Sequence, residues 1–196
     1  MGLSLITAPA REPISLQEAK DHLRVTATDE DALIESLITA ARQTIEGRFG
    51  VIQRALITQT WDWTLDGFPS DSTVALQVPF PPLQSVTSIT YLDGDGASQT
   101  WSAAKYTVDA KSLIGRIIPA WDEDYPETRS VINAVTVRFA AGFGGAQQDV
   151  PMPIRQAMLL LIGHMYENRE THIMGVAVAE LPTVDRLLAP YRIASF

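Results

Sequence analysis

Hydrophobic residues recur at helical spacing towards both ends of this chain. The longest such pattern covers residues 153–170. Its apolar stripe, taken at about 100° per residue, consists of Ile154, Ala157, Met158, Leu161, Ile162 and Met165. Leu159 and Leu160 fall outside that stripe, on opposite flanks. A helix that is apolar over so much of its circumference is buried from more than one side. We therefore expect the second side to contact another subunit.

Two further helices are predicted near the N-terminus. Ser15 and Glu18 have the spacing of a capping box, which predicts a helix that continues to about Val25. A second helix follows the acidic segment 28–31 and is predicted to extend to about Phe49, before Gly50. Its apolar face contains Leu33, Ile34, Leu37, Ile38, Ala41, Ile45 and Phe49.

Between residues 54 and 140 the hydrophobic period changes to two, which is typical of half-buried strands. Strands are predicted over about 57–65, 74–78, 86–92, 100–108, 113–118 and 131–139. The sequence Asp93-Gly-Asp-Gly96 predicts a hairpin turn between two of them. Together these patterns predict an α+β fold with helices in residues 1–53, a β-rich insertion in residues 54–140, and helices with a tail in residues 141–196.

The charge and composition of the chain argue against several classes of function. The chain has a formal net charge of -8 and contains three lysines among its 15 basic residues. This argues against tight nucleic-acid binding, which needs a basic patch. The absence of cysteine excludes disulfides and thiolate metal sites. No apolar run approaches the roughly 20 residues of a membrane span, so we expect no membrane contact.

No group of residues supports a catalytic or cofactor site. His164, Glu167, Glu170 and His172 lack the spacing of a zinc protease motif, and the glycines of 142–145 lack the ending of a phosphate-binding loop. We expect no catalytic residue, no metal and no cofactor. Two alternatives stay open: an enzyme with an unrecognised cleft site, and a carbohydrate-binding module. The second requires Trp61, Trp63, Trp101 and Trp121 to be exposed on one face.

Several segments resemble one known group of proteins. The N-terminal segments are Ile14-Ser-Leu-Gln-Glu-Ala-Lys-Asp-His-Leu-Arg24, Asp29-Glu-Asp-Ala-Leu-Ile34 and Ala40-Ala-Arg-Gln-Thr-Ile-Glu46. The later ones are Pro81-Pro-Leu-Gln-Ser-Val86, Ile89-Thr-Tyr-Leu-Asp-Gly94, Val135-Thr-Val-Arg-Phe-Ala-Ala-Gly142, Val150-Pro-Met-Pro-Ile-Arg-Gln-Ala-Met158 and His164-Met-Tyr-Glu-Asn-Arg-Glu170. In this order, and over nearly the whole chain, they resemble the head–tail connector (adaptor) proteins of long-tailed phages and phage-like gene transfer agents.

The resemblance implies a structural protein rather than an enzyme. It implies a homo-oligomeric ring of twelve subunits beneath the portal protein, with the next neck (stopper) protein on the other face. DNA would pass through a central channel without sequence-specific binding. The chain would then be located in the neck of a virion or phage-like particle, after assembly in the host cytoplasm.

Two sets of residues are candidates for contacts in such an assembly. The subunit interface is predicted to include Arg48, Leu159, Leu160 and Tyr166. Arg48 lies on the apolar side of its helix, where its stem would either cover the core or bring its charge to an ion pair with another subunit. The segment 170–196 is predicted to be a mobile tail that becomes ordered against the portal. Its candidate contact residues are Leu187, Leu188, Tyr191 and Arg192.

Overall fold

The computed structural model describes residues 2–47, 49–168 and 182–193. The chain divides into two compact units. A β-rich unit contains residues 1–10 and 58–142, and a helical unit contains residues 11–57 and 143–196. The sequence analysis placed the corresponding boundaries at 53/54 and 140/141. The first ten residues, however, belong to the β-rich unit rather than to the helical one.

The helical unit contains four α-helices in its described residues. They are α1 (Leu16–Leu23), α2 (Asp31–Ile45), α3 (Met152–Glu167) and α4 (Pro182–Leu188). As predicted, α1 begins after Ser15, whose side-chain oxygen accepts a hydrogen bond of 3.1 Å from the backbone N–H of Glu18. The helix ends at Arg24, which adopts the left-handed conformation and donates its N–H to carbonyls of the last turn.

Helix α2 is shorter than predicted. It ends at Ile45 because Glu46 is extended and Gly47 has a φ of 82°, which favours glycine. The chain then reverses, and the N–H of Ile52 donates to the carbonyl of Ile45. The predicted extension to Phe49 is therefore wrong, and Phe49 is exposed instead of packing with the apolar face of α2.

The core of the helical unit is formed where α2, α3 and α4 meet. The buried core residues on these three helices are Ile34, Ile38, Ala41, Ile45, Ile154, Ala157, Met158, Leu159, Ile162, Val184 and Leu188. Four residues of the stripe predicted on α3 are fully buried, whereas Leu161 and Met165 are half-buried against this core. The periodicity of α3 therefore predicted its packing face correctly.

The β-rich unit contains two antiparallel sheets. The larger consists of β1 (Gly2–Thr7), β2 (Gln59–Leu65), β4 (Leu83–Leu92), β5 (Ser98–Thr100) and β8 (Val135–Ala141), in the order β1-β2-β8-β4-β5. The smaller consists of β3 (Leu76–Gln77), β6 (Tyr106–Asp109) and β7 (Arg116–Pro119), in the order β3-β7-β6. In the larger sheet Trp63 is paired with Val137, which in turn is paired with Ile89, and all three are buried.

Two features of the sheets differ from the sequence prediction. Residues 2–7 form an edge strand that pairs with β2, with Leu3 opposite Trp63, although no strand was predicted there. The strand predicted over 100–108 is interrupted by a 3-10 turn at Ala103–Lys105, which separates β5 from β6. The two strands consequently belong to different sheets.

A cluster of aromatic side chains lies between residues of the two sheets. Tyr91 is in the larger sheet and Tyr106 in the smaller, and both are connected through rings of Phe68, Trp101 and Tyr125. Phe68 and Tyr125 are stacked with ring centroids 5.2 Å apart. Since Trp63 and Trp101 are buried, the four tryptophans do not form the exposed platform that a carbohydrate-binding module requires.

Candidate assembly site

The predicted interface residues on α3 differ in how much surface they offer. Leu159 is 8% exposed and belongs to the core of its own helical unit. It therefore has little surface left for a neighbouring subunit, although it was predicted from its position outside the apolar stripe. Leu160 is half-buried against the same core and retains surface. The role of Leu160 in subunit contact stays a prediction.

Tyr166 is half-buried near the end of α3, and its hydroxyl donates a hydrogen bond to the carboxylate of Glu30 at the start of α2. One function of Tyr166 is therefore to connect two helices within the protomer. A role of Tyr166 in subunit contact stays a prediction. Arg48, the fourth predicted interface residue, lies outside the described residues.

The C-terminal segment is packed onto the helical unit over residues 182–193. Leu188 is completely buried in the core, and Leu187 and Tyr191 pack against it. The prediction of a mobile tail is therefore wrong for 182–193, while residues 169–181 and 194–196 lie outside the described residues. Since the side chain of Leu188 is enclosed by its own protomer, it has no surface to offer the portal.

The other three candidate portal residues lie at the surface or close to it. Leu187 and Tyr191 are half-buried. Arg192 is exposed and forms an ion pair of 2.8 Å with Asp185 of α4. An exposed ion pair of this kind contributes little to stability, about 0–1 kcal/mol. Leu187, Tyr191 and Arg192 therefore stay the predicted portal contacts.

A buried arginine holds the C-terminal segment in place. The Nε of Arg54 donates a hydrogen bond of 2.5 Å to the carbonyl oxygen of Tyr191. Burial lowers the pKa of Arg54, and the nearby Tyr191 opposes that shift. The guanidinium nevertheless stays charged at neutral pH, so this is a charge-assisted hydrogen bond between residues 137 positions apart.

We expect Arg54→Met to loosen the C-terminal segment while the rest of the helical unit stays folded. Hydrogen bonds to charged groups contribute about 1.5–3 kcal/mol, so local opening of 182–193 should become roughly tenfold more frequent or more. Limited proteolysis, with the cleavage sites identified by mass spectrometry, measures this opening. Equal cleavage rates for the variant and the wild type would contradict the anchoring role of Arg54.

A second charged group stabilises the helical unit from within. Arg42 forms ion pairs with Glu12, at 2.7 Å, and with Glu46, which directly follows the end of α2. Burial alone lowers the pKa of Arg42, but the hydrogen bond to Glu12 and the charge of Glu46 outweigh that effect and raise it. Glu46 also accepts a hydrogen bond from the N–H of Leu56. This network connects α2 to the segments on either side of it.

The surface next to this network has a groove of about 370 Å³. Its lining residues are Glu12, Ile14, Ser15, Leu16, Glu35, Ile38, Thr39 and Gln147. Glu12 accepts hydrogen bonds from Thr39 and Arg42, so its charge is already neutralised within the protomer. The hydroxyl groups in the groove are already engaged, since Ser15 caps α1 and Thr39 donates to Glu12. With no histidine in the lining, its two carboxylates do not form a recognisable catalytic group.

Groups that could hold a metal ion and helices that could span a membrane were sought in the part of the chain that the structure describes. No group of three or more histidine, aspartate or glutamate side chains is arranged to hold a metal ion there. Nor does any helix within 2–47, 49–168 and 182–193 have the length and apolarity needed to cross a membrane.

Comparisons with known proteins found one family model and several solved structures that are similar to this chain. The model of the family described as "Phage gp6-like head-tail connector protein" matches residues 13–88, which contain α1, α2 and the first strands after them. No similar chain was found among the curated proteins.

Solved structures of gene transfer agent (GTA) particles contain chains with the same fold. One chain, from a structure described as "Neck of empty GTA particle computed with C6 symmetry", has a TM-score of 0.80 and 27% sequence identity, over 100% of this chain and 97% of that chain. The values are the same for a chain from "Virion of native gene transfer agent (GTA) particle". The resemblance to head–tail connectors is confirmed. A third chain, from "Neck of native GTA particle computed with C12 symmetry", is 23% identical with a TM-score of 0.74 and supports the connector fold alone.

Two exposed apolar residues lie outside the predicted subunit and portal contacts. Trp121 is 98% exposed and Leu113 is 66% exposed, and both lie in loops of the smaller sheet. The sequence analysis considered Trp121 together with the other three tryptophans, as part of an exposed carbohydrate-binding platform. The neighbouring acidic residues 122–124 and Pro126 were the signal that Trp121 lies in a surface loop.

Proposed function

We propose that this chain is a structural head–tail adaptor of a phage or phage-like particle. Its copies form a ring beneath the portal, which joins the DNA-filled head to the tail and leaves a channel for DNA. The observation that carries this proposal is the similarity of the whole chain, at a TM-score of 0.80 and 27% identity, to a chain in the neck of a gene transfer agent particle. The match to the connector family over residues 13–88 supports it independently.

The proposed ring contains twelve copies. Relatives of this fold occur in necks computed with C6 and with C12 symmetry, and a ring of twelve is compatible with both. In a cyclic ring, each copy uses one surface towards one neighbour and a different surface towards the other. Leu160, Tyr166 and Arg48 are the residues of the helical unit that we propose for these contacts.

The proposed neighbours along the particle axis are the portal on one face and the next neck protein on the other. We propose that the portal contact involves Leu187, Tyr191 and Arg192, because the rigidly packed segment 182–193 presents these side chains at least partly at the surface. A docked segment with a preformed surface loses less conformational entropy on binding than a mobile tail would.

The charge of the chain suits a channel through which DNA moves. A net charge of -8 with three lysines provides few cations to neutralise phosphates, and phosphate contacts dominate the affinity of proteins for DNA. DNA would therefore pass through without being retained. We further propose that the chain is incorporated into the neck during particle assembly in the host cytoplasm.

Removing this chain from cells that make the particle tests the proposed function. We expect DNA-filled heads and separate tails, with few joined particles, because the joint between them is missing. Electron micrographs of the particles provide the count, and supplying the wild-type chain in trans is the control. Normal numbers of tailed particles in the absence of this chain would refute the adaptor role.

A further inference from the structure

The smaller sheet presents different chemistry at its two ends. In its β6–β7 pair, Tyr106 lies opposite Pro119 at one end, and Asp109 lies opposite Arg116 at the other. Four paired residues at about 3.3 Å each separate these ends by roughly 10 Å. Trp121 follows the first end, and the loop with Leu113 connects the strands at the second. The two exposed apolar residues therefore lie at opposite ends of one sheet.

At the first end, Trp121 is exposed on a loop that is held in place from several sides. Glu123 forms an ion pair of 3.0 Å with Lys105, and Asp124 accepts a hydrogen bond of 2.6 Å from the hydroxyl of Ser72. The hydroxyl of Tyr125 donates to the carbonyl of Val74 at 2.8 Å. Val74, itself 50% exposed, precedes β3 at the same end of the sheet. We call Val74, Trp121 and the carboxylates of Asp71, Asp122, Glu123 and Asp124 the acidic end.

An exposed tryptophan on a rigid loop has the properties of a binding anchor. Tryptophan is among the residues most enriched at the energetic centres of protein interfaces. A rigid loop also lowers the entropy lost on binding. The surrounding carboxylates indicate that the partner surface carries positive charge, because unlike charges across an interface favour the correct pairing.

At the second end, the loop between β6 and β7 carries Leu113 and Lys111. Both side chains are exposed, and the ammonium of Lys111 has no ion-pair partner within the described ranges. The loop is held by the carboxylate of Asp109, which accepts hydrogen bonds from the N–H groups of Lys111 and Ser112 and from the hydroxyl of Ser112. Asp109 also pairs with Arg116 at 2.6 Å. We call Lys111, Leu113 and the Asp109–Arg116 pair the basic end.

The two ends are complementary in charge and similar in apolar content. The acidic end has four carboxylates and a single nearby lysine. The basic end has two cations and one carboxylate, which is already paired. Two acidic ends would repel each other, so a symmetric contact between identical surfaces is unfavourable. A head-to-tail contact brings the acidic end of one copy to the basic end of the next.

We propose that neighbouring copies of this chain contact each other head to tail through the smaller sheet, with Trp121 of one copy packed on Leu113 and Lys111 of the next. This inference rests on the proposed ring and assigns the β-rich unit a part in closing it. Head-to-tail contacts are the kind that generate a closed ring. The ammonium of Lys111 can lie over the indole face of Trp121, which adds a cation–π attraction to the buried apolar area.

Cysteine cross-linking tests this contact directly, because the natural chain contains no cysteine. The double variant Trp121→Cys/Leu113→Cys is incorporated into particles and treated with a short bifunctional thiol reagent. Each copy would be linked to both neighbours, so we expect a ladder of covalent oligomers extending beyond the dimer. The single variants Trp121→Cys and Leu113→Cys are the controls and should stay monomeric.

Different outcomes of this experiment would refute the head-to-tail contact and the proposed adaptor role. Particles with a normal neck ring but no ladder would overturn the head-to-tail contact and leave the adaptor role intact. A dimer formed by Trp121→Cys alone would also overturn it, since it indicates a symmetric contact. Absence of the wild-type chain from the neck would refute the adaptor role instead.

A charge change at the basic end gives a second, independent readout. Lys111→Glu should reduce incorporation of the chain into particles at least fivefold, because it places a carboxylate against the acidic end of the neighbour. Lys111→Arg retains the charge and should be incorporated like the wild type. Equal incorporation of the glutamate variant would overturn the contact even if the cysteine variant assembled poorly.

Discussion

Replacing Leu188 by alanine is expected to lower the free energy of unfolding of the helical unit by about 2–5 kcal/mol. Leu188 is completely buried where α4 meets the core. The substitution removes apolar contacts and leaves a cavity that the neighbouring side chains fill only in part. A loss of this size is a large fraction of the roughly 5–15 kcal/mol that stabilises a typical domain. Chemical denaturation followed by circular dichroism measures it.

Leu113→Ala is the matched control for this experiment. It removes the same atoms from a leucine that is 66% exposed, so the change should stay within about 0.5 kcal/mol. If Leu188→Ala lowered the free energy of unfolding as little as Leu113→Ala does, α4 would not be part of the core. The same reasoning predicts that deletion of the segment from 180 onwards destabilises the helical unit.

The second large effect is expected at Leu160. We predict that Leu160→Asp prevents ring assembly, because it places a charge on the surface of α3 that we propose for subunit contact. The protomer should stay folded with a lower melting temperature, since Leu160 is only half-buried in its own core. Analytical ultracentrifugation or mass photometry of the variant mixed with portal would show whether the ring forms.

The adjacent leucine provides the contrast. Leu159 is 8% exposed, and Leu159→Asp should unfold the helical unit, because burying an unpaired carboxylate is among the few changes that cost more than about 4 kcal/mol. The two variants therefore separate assembly from folding at neighbouring positions. A normal ring from Leu160→Asp would exclude this side of α3 from the interface.

Features governed by neighbours in sequence were predictable. The start of α1 depends on Ser15 and Glu18, three residues apart. The buried face of α3 follows from its periodicity. The period of two predicted half-buried strands over 57–65 and 131–139, and Trp63 and Val137 on these strands are buried. Each of these signals acts within a few residues, so the sequence contains it without reference to the rest of the fold.

Features that depend on distant partners were not predictable. Gly2–Thr7 forms a strand because β2, more than 50 residues later, offers it an edge. The segment 182–193 is packed rather than mobile because Arg54 and the core around Leu188 hold it. Even a local signal was misinterpreted at Gly47, where the positive φ ends α2 before the glycine that was expected to do so.

The same distinction applies to the candidate site. The sequence indicated that a surface of the chain contacts other copies, but Leu159 and Leu188 are enclosed by their own protomer. Trp121 differs in the opposite direction: a tryptophan is more often packed than exposed, but Trp121 is 98% exposed. Its exposure results from how β7 and the following loop are held, through Lys105, Ser72 and Tyr125.

Electron cryomicroscopy of the neck of purified particles, reconstructed without imposed symmetry, tests the central claim most directly. We predict a closed ring of twelve copies of this chain between the portal and the next neck protein, with DNA or its empty channel on the axis. A single copy of the chain in the neck, or a neck complete without it, would contradict the proposal that this protein is a ring-forming head–tail adaptor.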